Sequence, residues 1–109
     1  MEPLKPIPIE EIRAAQKRIK NIAIHTPLVR MEIVDAPCEI FLKLENLQPI
    51  GSFKLRGSGN AIEITSPEML SDGVFTASAG NMAQGVAWNA KRLGIPCSVV
   101  VPDHAPETK

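Results

Sequence analysis

The chain is poor in several of the residues that announce a function. Of its 109 residues only 2 are cysteine, 3 phenylalanine and 1 tryptophan, and there is no tyrosine. Two cysteines, Cys38 and Cys97, are too few and too far apart for a disulfide scaffold. Each lies in an apolar run, and both are expected to be buried reduced thiols. With His25 and His104 they are the only cysteine or histidine ligands for zinc, and no close pair such as CxxC anchors them, so no structural metal is expected. Excess charge is also lacking. Twelve Lys+Arg balance 12 Asp+Glu, which leaves no basic stripe for nucleic acid. No apolar run reaches the ~18 residues of a membrane helix. The opening residues, MEPLKPIPIEE, mix charge with proline and do not read as a secretion signal. These absences point to a cytoplasmic protein acting on a small molecule, with neither nucleic acid nor membrane as partner.

What is abundant is proline, 10 residues, and an alternation of strand and helix signals. The prolines of 3–8 predict an extended arm. Ile9, Ile12, Ala15, Ile19 and Ile22 recur at helical spacing and predict a helix over 9–21. Glu10 and Glu11 begin it and Lys17, Arg18 and Lys20 end it, which suits the helix dipole. Short strands are expected at 28–31 and 74–77. In CEIFLKL, Cys38, Ile40, Leu42 and Leu44 alternate onto one face of a strand over 38–44. A second helix is expected over 52–64, capped by Ser52. Gly57 and Gly59 each cost it about 1 kcal/mol, so something should pack or bind close to its backbone. Ser66-Pro67 begins a further helix. The next, over 82–93, carries the stripe Ala83, Val86, Ala87, Ala90 and Leu93 and closes at Gly94. CSVVV (97–101) is an apolar strand. The order predicts an α/β protein with parallel pairing and right-handed crossovers.

Two loops stand where a strand meets a helix N-terminus, the usual place for ligands in open α/β sheets. The first, Gly51-Ser52-Phe53-Lys54-Leu55-Arg56-Gly57, has neither the glycine spacing of a P-loop nor that of a dinucleotide fingerprint. It does put Lys54 in the first turn of a helix, where a cation is disfavoured and its pKa is expected to fall. A neutral amine is what imine chemistry needs. A surface lysine with its stem on apolar atoms is the plain alternative. The second loop, Ser78-Ala79-Gly80-Asn81, leaves backbone N–H groups free at a helix start, a place for a carboxylate or phosphate. A capped strand-to-helix turn explains it equally well alone.

Taken together, KLENLQPIGSFKLRG (43–57) and TASAGNMAQGVAWNAKRLGIPCSVVVP (76–102) resemble the N-terminal part of a fold-type II pyridoxal-phosphate enzyme. The nearest branch is the threonine/serine dehydratase and serine racemase group, and the resemblance runs over about 9–109. It implies a truncated three-layer parallel-sheet fold of the tryptophan synthase β-like type. Residues 1–68 would belong to the large, lysine-bearing domain and 69–109 to the start of the small one. It implies pyridoxal 5′-phosphate as cofactor, Lys54 as the Schiff-base lysine and the base at Cα, Phe53 beside the cofactor ring, and Asn81 bonding the pyridoxal 3′-oxygen. Ser78, Ala79, Gly80, Asn81 and Met82 match the loop that grips the substrate carboxylate. The implied activity is that of an ammonia-lyase, which takes a β-hydroxy amino acid to a 2-keto acid and ammonia. Serine racemases of this group carry a serine where Ala79 stands, and many relatives a histidine where Met82 stands. Ala79 favours dehydration over racemisation. Racemase or 3-hydroxyaspartate dehydratase activity, or a truncated non-catalytic interaction protein, are the alternatives. The family's phosphate cradle and any metal carboxylates would lie past Lys109, so the segment alone is expected to be inactive, to expose apolar surface and to form a homo-oligomer, dimer or tetramer, only when full length.

Overall fold

A computed structural model describes residues 5–107. The expected arm over 3–8 therefore lies partly outside them; its described part is extended and ends at Pro8, with φ −60° and ψ 144°. Helix α1 (Ile9–Arg18) follows. It stops short of the expected residue 21, because 19–22 turn away so that Ile19 and Ile22, rather than Ile9 and Ile12, reach the core. Strands β1 (Leu28–Met31) and β2 (Ile40–Lys43) then pair antiparallel, Leu28 against Lys43 and Met31 against Ile40. The strand expected over 38–44 is thus shorter. Cys38 lies outside it and is exposed, and Cys97 is only half-buried, against the expectation of two buried thiols.

After a 3-10 turn at Glu45–Leu47 come α2 (Lys54–Glu63) and the short α3 (Pro67–Leu70), capped as expected by Ser66, whose hydroxyl accepts from the Met69 amide. Strand β3 (Val74–Ala77), helix α4 (Asn81–Leu93) and strand β4 (Cys97–Val100) make a βαβ unit. Its strands are parallel, Val74 opposite Cys97 and Ala77 opposite Val100. Helix α4 ends on Gly94 with φ +69°, a left-handed cap that glycine adopts without strain. The β3–β4 ribbon is covered on the α4 side. Its other face is bare: Phe75 is 85% exposed and Val100 65%. Parallel strands usually carry helices on both faces; among the described residues only one face of this pair is covered.

The core is small: Ile19, Ile22 and Leu55, with Ala23, Ile50 and Trp88 packed against it. Helices α2 and α4 form the main interhelix contact. Glycine makes close approach possible elsewhere on α2, where a Cβ on Gly59 would meet Ile22 Cγ2, in the segment after α1, at 2.9 Å. Gly57 meets nothing within 4 Å, so of the two helix glycines only Gly59 has a packing reason.

Candidate active site

Lys54 is the first residue of α2. The chain enters from Ser52, whose buried hydroxyl accepts the Lys54 amide at 3.3 Å. Ser52 thus satisfies one of the orphan donors of the first turn, although Phe53 holds the formal cap position. The Lys54 Nζ lies 5.3 Å from the centroid of the Phe53 ring, a cation–π contact. Phe53 itself is 59% exposed, an aromatic face open beside a primary amine. Among the described residues no carboxylate pairs with that amine.

The next turn of α2 is tied down by charge. Arg56 donates to both oxygens of Glu45, from Nε to Oε2 at 2.9 Å and from Nη2 to Oε1 at 2.8 Å. Such forked pairs are stronger and more directional than single bonds. The Thr26 hydroxyl donates to Glu45 Oε1 at 2.5 Å and the Gln48 amide to Oε2 at 3.2 Å. Gln48 also exchanges two bonds with the Ile24 backbone, and Lys43 Nζ bonds the Thr26 carbonyl. The Arg56 guanidinium holds the Glu45 carboxyl down at about 2 against the desolvation that would raise it; Thr26 and Gln48 add to the lowering. Glu45 in turn raises Arg56. The network joins the loop after β2 to α2 and so sets where the helix begins.

The second loop follows β3. The Ser78 amide bonds the Val100 carbonyl at 3.0 Å, and the Ser78 hydroxyl accepts the Gly80 amide at 3.2 Å. Gly80, not Asn81, occupies the cap position of α4, with φ −139° and ψ −145° and no side-chain cap. Asn81 is instead the first helical residue, followed by Met82; both are half-buried. A Cβ on Gly80 would meet nothing within 4 Å, so there is open space over the loop. A cavity of about 250 Å³ opens beside it, lined by Ser78, Ala79, Ala83, Gln84 and Ala87 of the loop and α4, and by Val99 of β4. Lys54, Phe53 and Asn81 do not line it.

The two loops are brought together through their helices. A Cβ on Gly85 would sit 3.3 Å from the Lys54 carbonyl oxygen and 2.7 Å from Ser58 Oγ. Gly85 is four residues, about 6 Å of rise, from Asn81. The start of α2 therefore lies against the first turns of α4. Three contributors escaped sequence reasoning. Gly85 and Asn89 are buried on α4, and Ser58 on α2. Asn89 did carry a signal, a polar residue next to Ala90 of the apolar stripe, and Gly85 another, a glycine inside a helix.

This donor set suits an aldehyde cofactor with an aromatic ring and an anionic ligand: an unpaired primary amine, an open aromatic face, and backbone N–H groups at the start of α4. Comparison with known proteins agrees. The sequence profile described as "Pyridoxal-phosphate dependent enzyme" matches residues 19–109. L-threonine ammonia-lyase of Thermotoga maritima is 46% identical over 105 residues, covering 94% of this chain and 26% of that protein. Serine racemase of Dictyostelium discoideum is 40% identical over 111 aligned positions, covering 100% of this chain and 34% of that protein. The solved structure of maize serine racemase superposes with a TM-score of 0.85 at 41% identity, covering 92% of this chain and 31% of that one. The chain thus spans about a quarter to a third of the length of the curated relatives it matches.

Proposed function

The chain belongs to the pyridoxal-phosphate dependent enzyme family, with the fold-type II architecture, and on that premise we propose that it is the N-terminal segment of an L-threonine/L-serine ammonia-lyase. The observation that carries the reading is the Lys54 amine, at the start of a helix packed at Gly85 against α4, the helix that follows the donor loop.

Lys54 Nζ is the amine that carries the cofactor and then takes the proton from the substrate Cα. Phe53 would hold the cofactor ring and Asn81 would bond its 3′-oxygen. The loop of Ser78, Ala79, Gly80, Asn81 and Met82 holds the substrate carboxylate through N–H groups at a helix N-terminus. When bound, pyridoxal 5′-phosphate supplies the electron sink for the charge left at Cα. The β-hydroxyl would leave as water, and water would then hydrolyse the released enamine to a 2-keto acid and ammonia. Ala79 offers only a methyl group, so the loop lacks a hydroxyl there to act as a base on the opposite face. Residues 1–68 are assigned to the large domain and 69–109 to the small one, with the boundary at 66–71. The whole enzyme is a cytoplasmic homo-oligomer, and the 109-residue segment alone is inactive.

Serine racemase is the second reading, favoured by the similarity to the Dictyostelium and maize racemases. Assay of the full-length protein with L-threonine, L-serine and 3-hydroxyaspartate, read for keto acid and for D-amino acid, separates the two. Borohydride reduction of the cofactor-loaded protein, followed by peptide mapping, is expected to mark Lys54. A mark on another lysine overturns the site assignment.

A further inference from the structure

We propose that Asn89 and Ser58 form a latch that positions Lys54 against α4; the proposal rests on the reading of Lys54 as the cofactor-bearing amine. Asn89 of α4 has no exposed surface, and Ser58 of α2 is 4% exposed. The Asn89 amide spends both of its hydrogens. It donates one to Ser58 Oγ at 3.2 Å and one to the Gly85 carbonyl at 2.9 Å. The Ser58 hydroxyl has one hydrogen and two carbonyls in reach, Lys54 at 2.9 Å and Leu55 at 3.3 Å, and the shorter contact directs it to Lys54. The direction of this series is fixed, because both carbonyls only accept.

The arrangement leaves Asn89 Oδ1 buried without a hydrogen-bond partner among the described residues. It faces Gly59, where a Cβ would lie 3.5 Å from it. An orphaned buried acceptor is destabilising, and alanine at this position would avoid it. What the amide adds is the tie to Lys54. That tie has a use, because Lys54 stands in the first turn of α2, the part of a helix most prone to fray. A second hydrogen on its carbonyl fixes the peptide plane from which the long side chain extends. The same series runs to α4, whose first residues form the carboxylate loop. The latch therefore sets the amine that moves the Cα proton relative to the loop that holds the substrate. Gly85 completes it, since any larger residue would push on Ser58 Oγ and the Lys54 carbonyl together. Ser58 and Asn89 are positioning residues and touch no reacting atom.

The test uses the full-length holoenzyme with Asn89→Ala, Ser58→Ala and the double variant. Borohydride mapping of the unsubstituted enzyme comes first. A lysine other than Lys54 overturns both the functional reading and the latch. With Lys54 marked, each single variant is expected to lose kcat about five-fold, the factor one neutral hydrogen bond represents, with KM within about twofold. The double variant should be no worse than the poorer single one, because both cut the same series. The pH midpoint of the visible absorbance of the lysine-bound cofactor should shift in all three, a change that mere loosening of the fold does not produce. Unchanged kcat and midpoint, or losses that add in the double variant, overturn the latch and leave the reading of Lys54 standing. Should Asn89→Ala fail to fold, Ser58→Ala decides alone, since alanine is the strongest helix former.

Discussion

Gly85 covers the carbonyl of Lys54: a Cβ at Gly85 would stand 3.3 Å from that oxygen and 2.7 Å from the Ser58 hydroxyl. The residue at the heart of the proposed chemistry is thus held from behind by a helix that begins with the proposed substrate loop. Gly85→Ala should therefore lower stability by about 1–3 kcal/mol through overpacking and slow turnover. Adding Ser58→Ala removes the nearer clash, with the hydroxyl oxygen, and should recover part of the stability. Urea denaturation of both variants measures this. Equal stability of Gly85→Ala and the unsubstituted protein would show that α4 can move away freely.

Lys54→Ala in the full-length protein should abolish keto-acid formation. Lys54→Arg should do the same, because a guanidinium stays protonated and cannot accept the Cα proton. Turnover with L-threonine, followed as 2-oxobutanoate, is the measurement.

The Glu45–Arg56 pair predicts an acid limb of stability. The Glu45 carboxyl is held at about 2 against an ordinary 4.5. Its contribution is therefore fully present above about pH 4.5 and fades as the pH falls from there towards 2. With its side chain 17% exposed, solvent screening leaves about 1–2 kcal/mol. Arg56→Gln should remove this contribution at neutral pH and flatten the profile between pH 5 and about 2. Thermal midpoints of both proteins across that range check it.

Ala79→Ser places a hydroxyl in the loop beside the cavity. It is expected to raise racemisation of L-serine relative to dehydration, read as D-serine against pyruvate. An unchanged ratio would remove Ala79 as the residue that sets the balance.

Core truncation separates stability from chemistry. Leu55 is wholly buried and centres the cluster with Ile19 and Ile22. Leu55→Ala should destabilise by about 2–5 kcal/mol, while borohydride still marks Lys54 in the fraction that remains folded.

Much of this protein is written locally. The strands at 28–31 and 74–77, the Ser66 cap and the Gly94 stop stand where turn chemistry and periodicity place them. Lys54 stands out because a cation in the first turn of a helix conflicts with the dipole, and the Ser78–Asn81 loop stands out only beside it, since a capped turn explains that loop alone. Burial was less legible. Ile9 and Ile12 carry the helical period but are half-exposed, at 51% and 52%, and Phe75 points away from α4.

The sequence by itself determined the element order, the βαβ unit and the two loops, because caps, glycines and apolar spacing act over a few residues. Only the tertiary structure decided that α2 lies on α4, that Asn89 reaches Ser58 across 31 residues of chain, and that Glu45 anchors Arg56. Those contacts depend on which helix faces meet. A polar residue in an apolar stripe or a glycine in a helix marks that something meets it, but the partner is chosen by packing between elements distant in sequence.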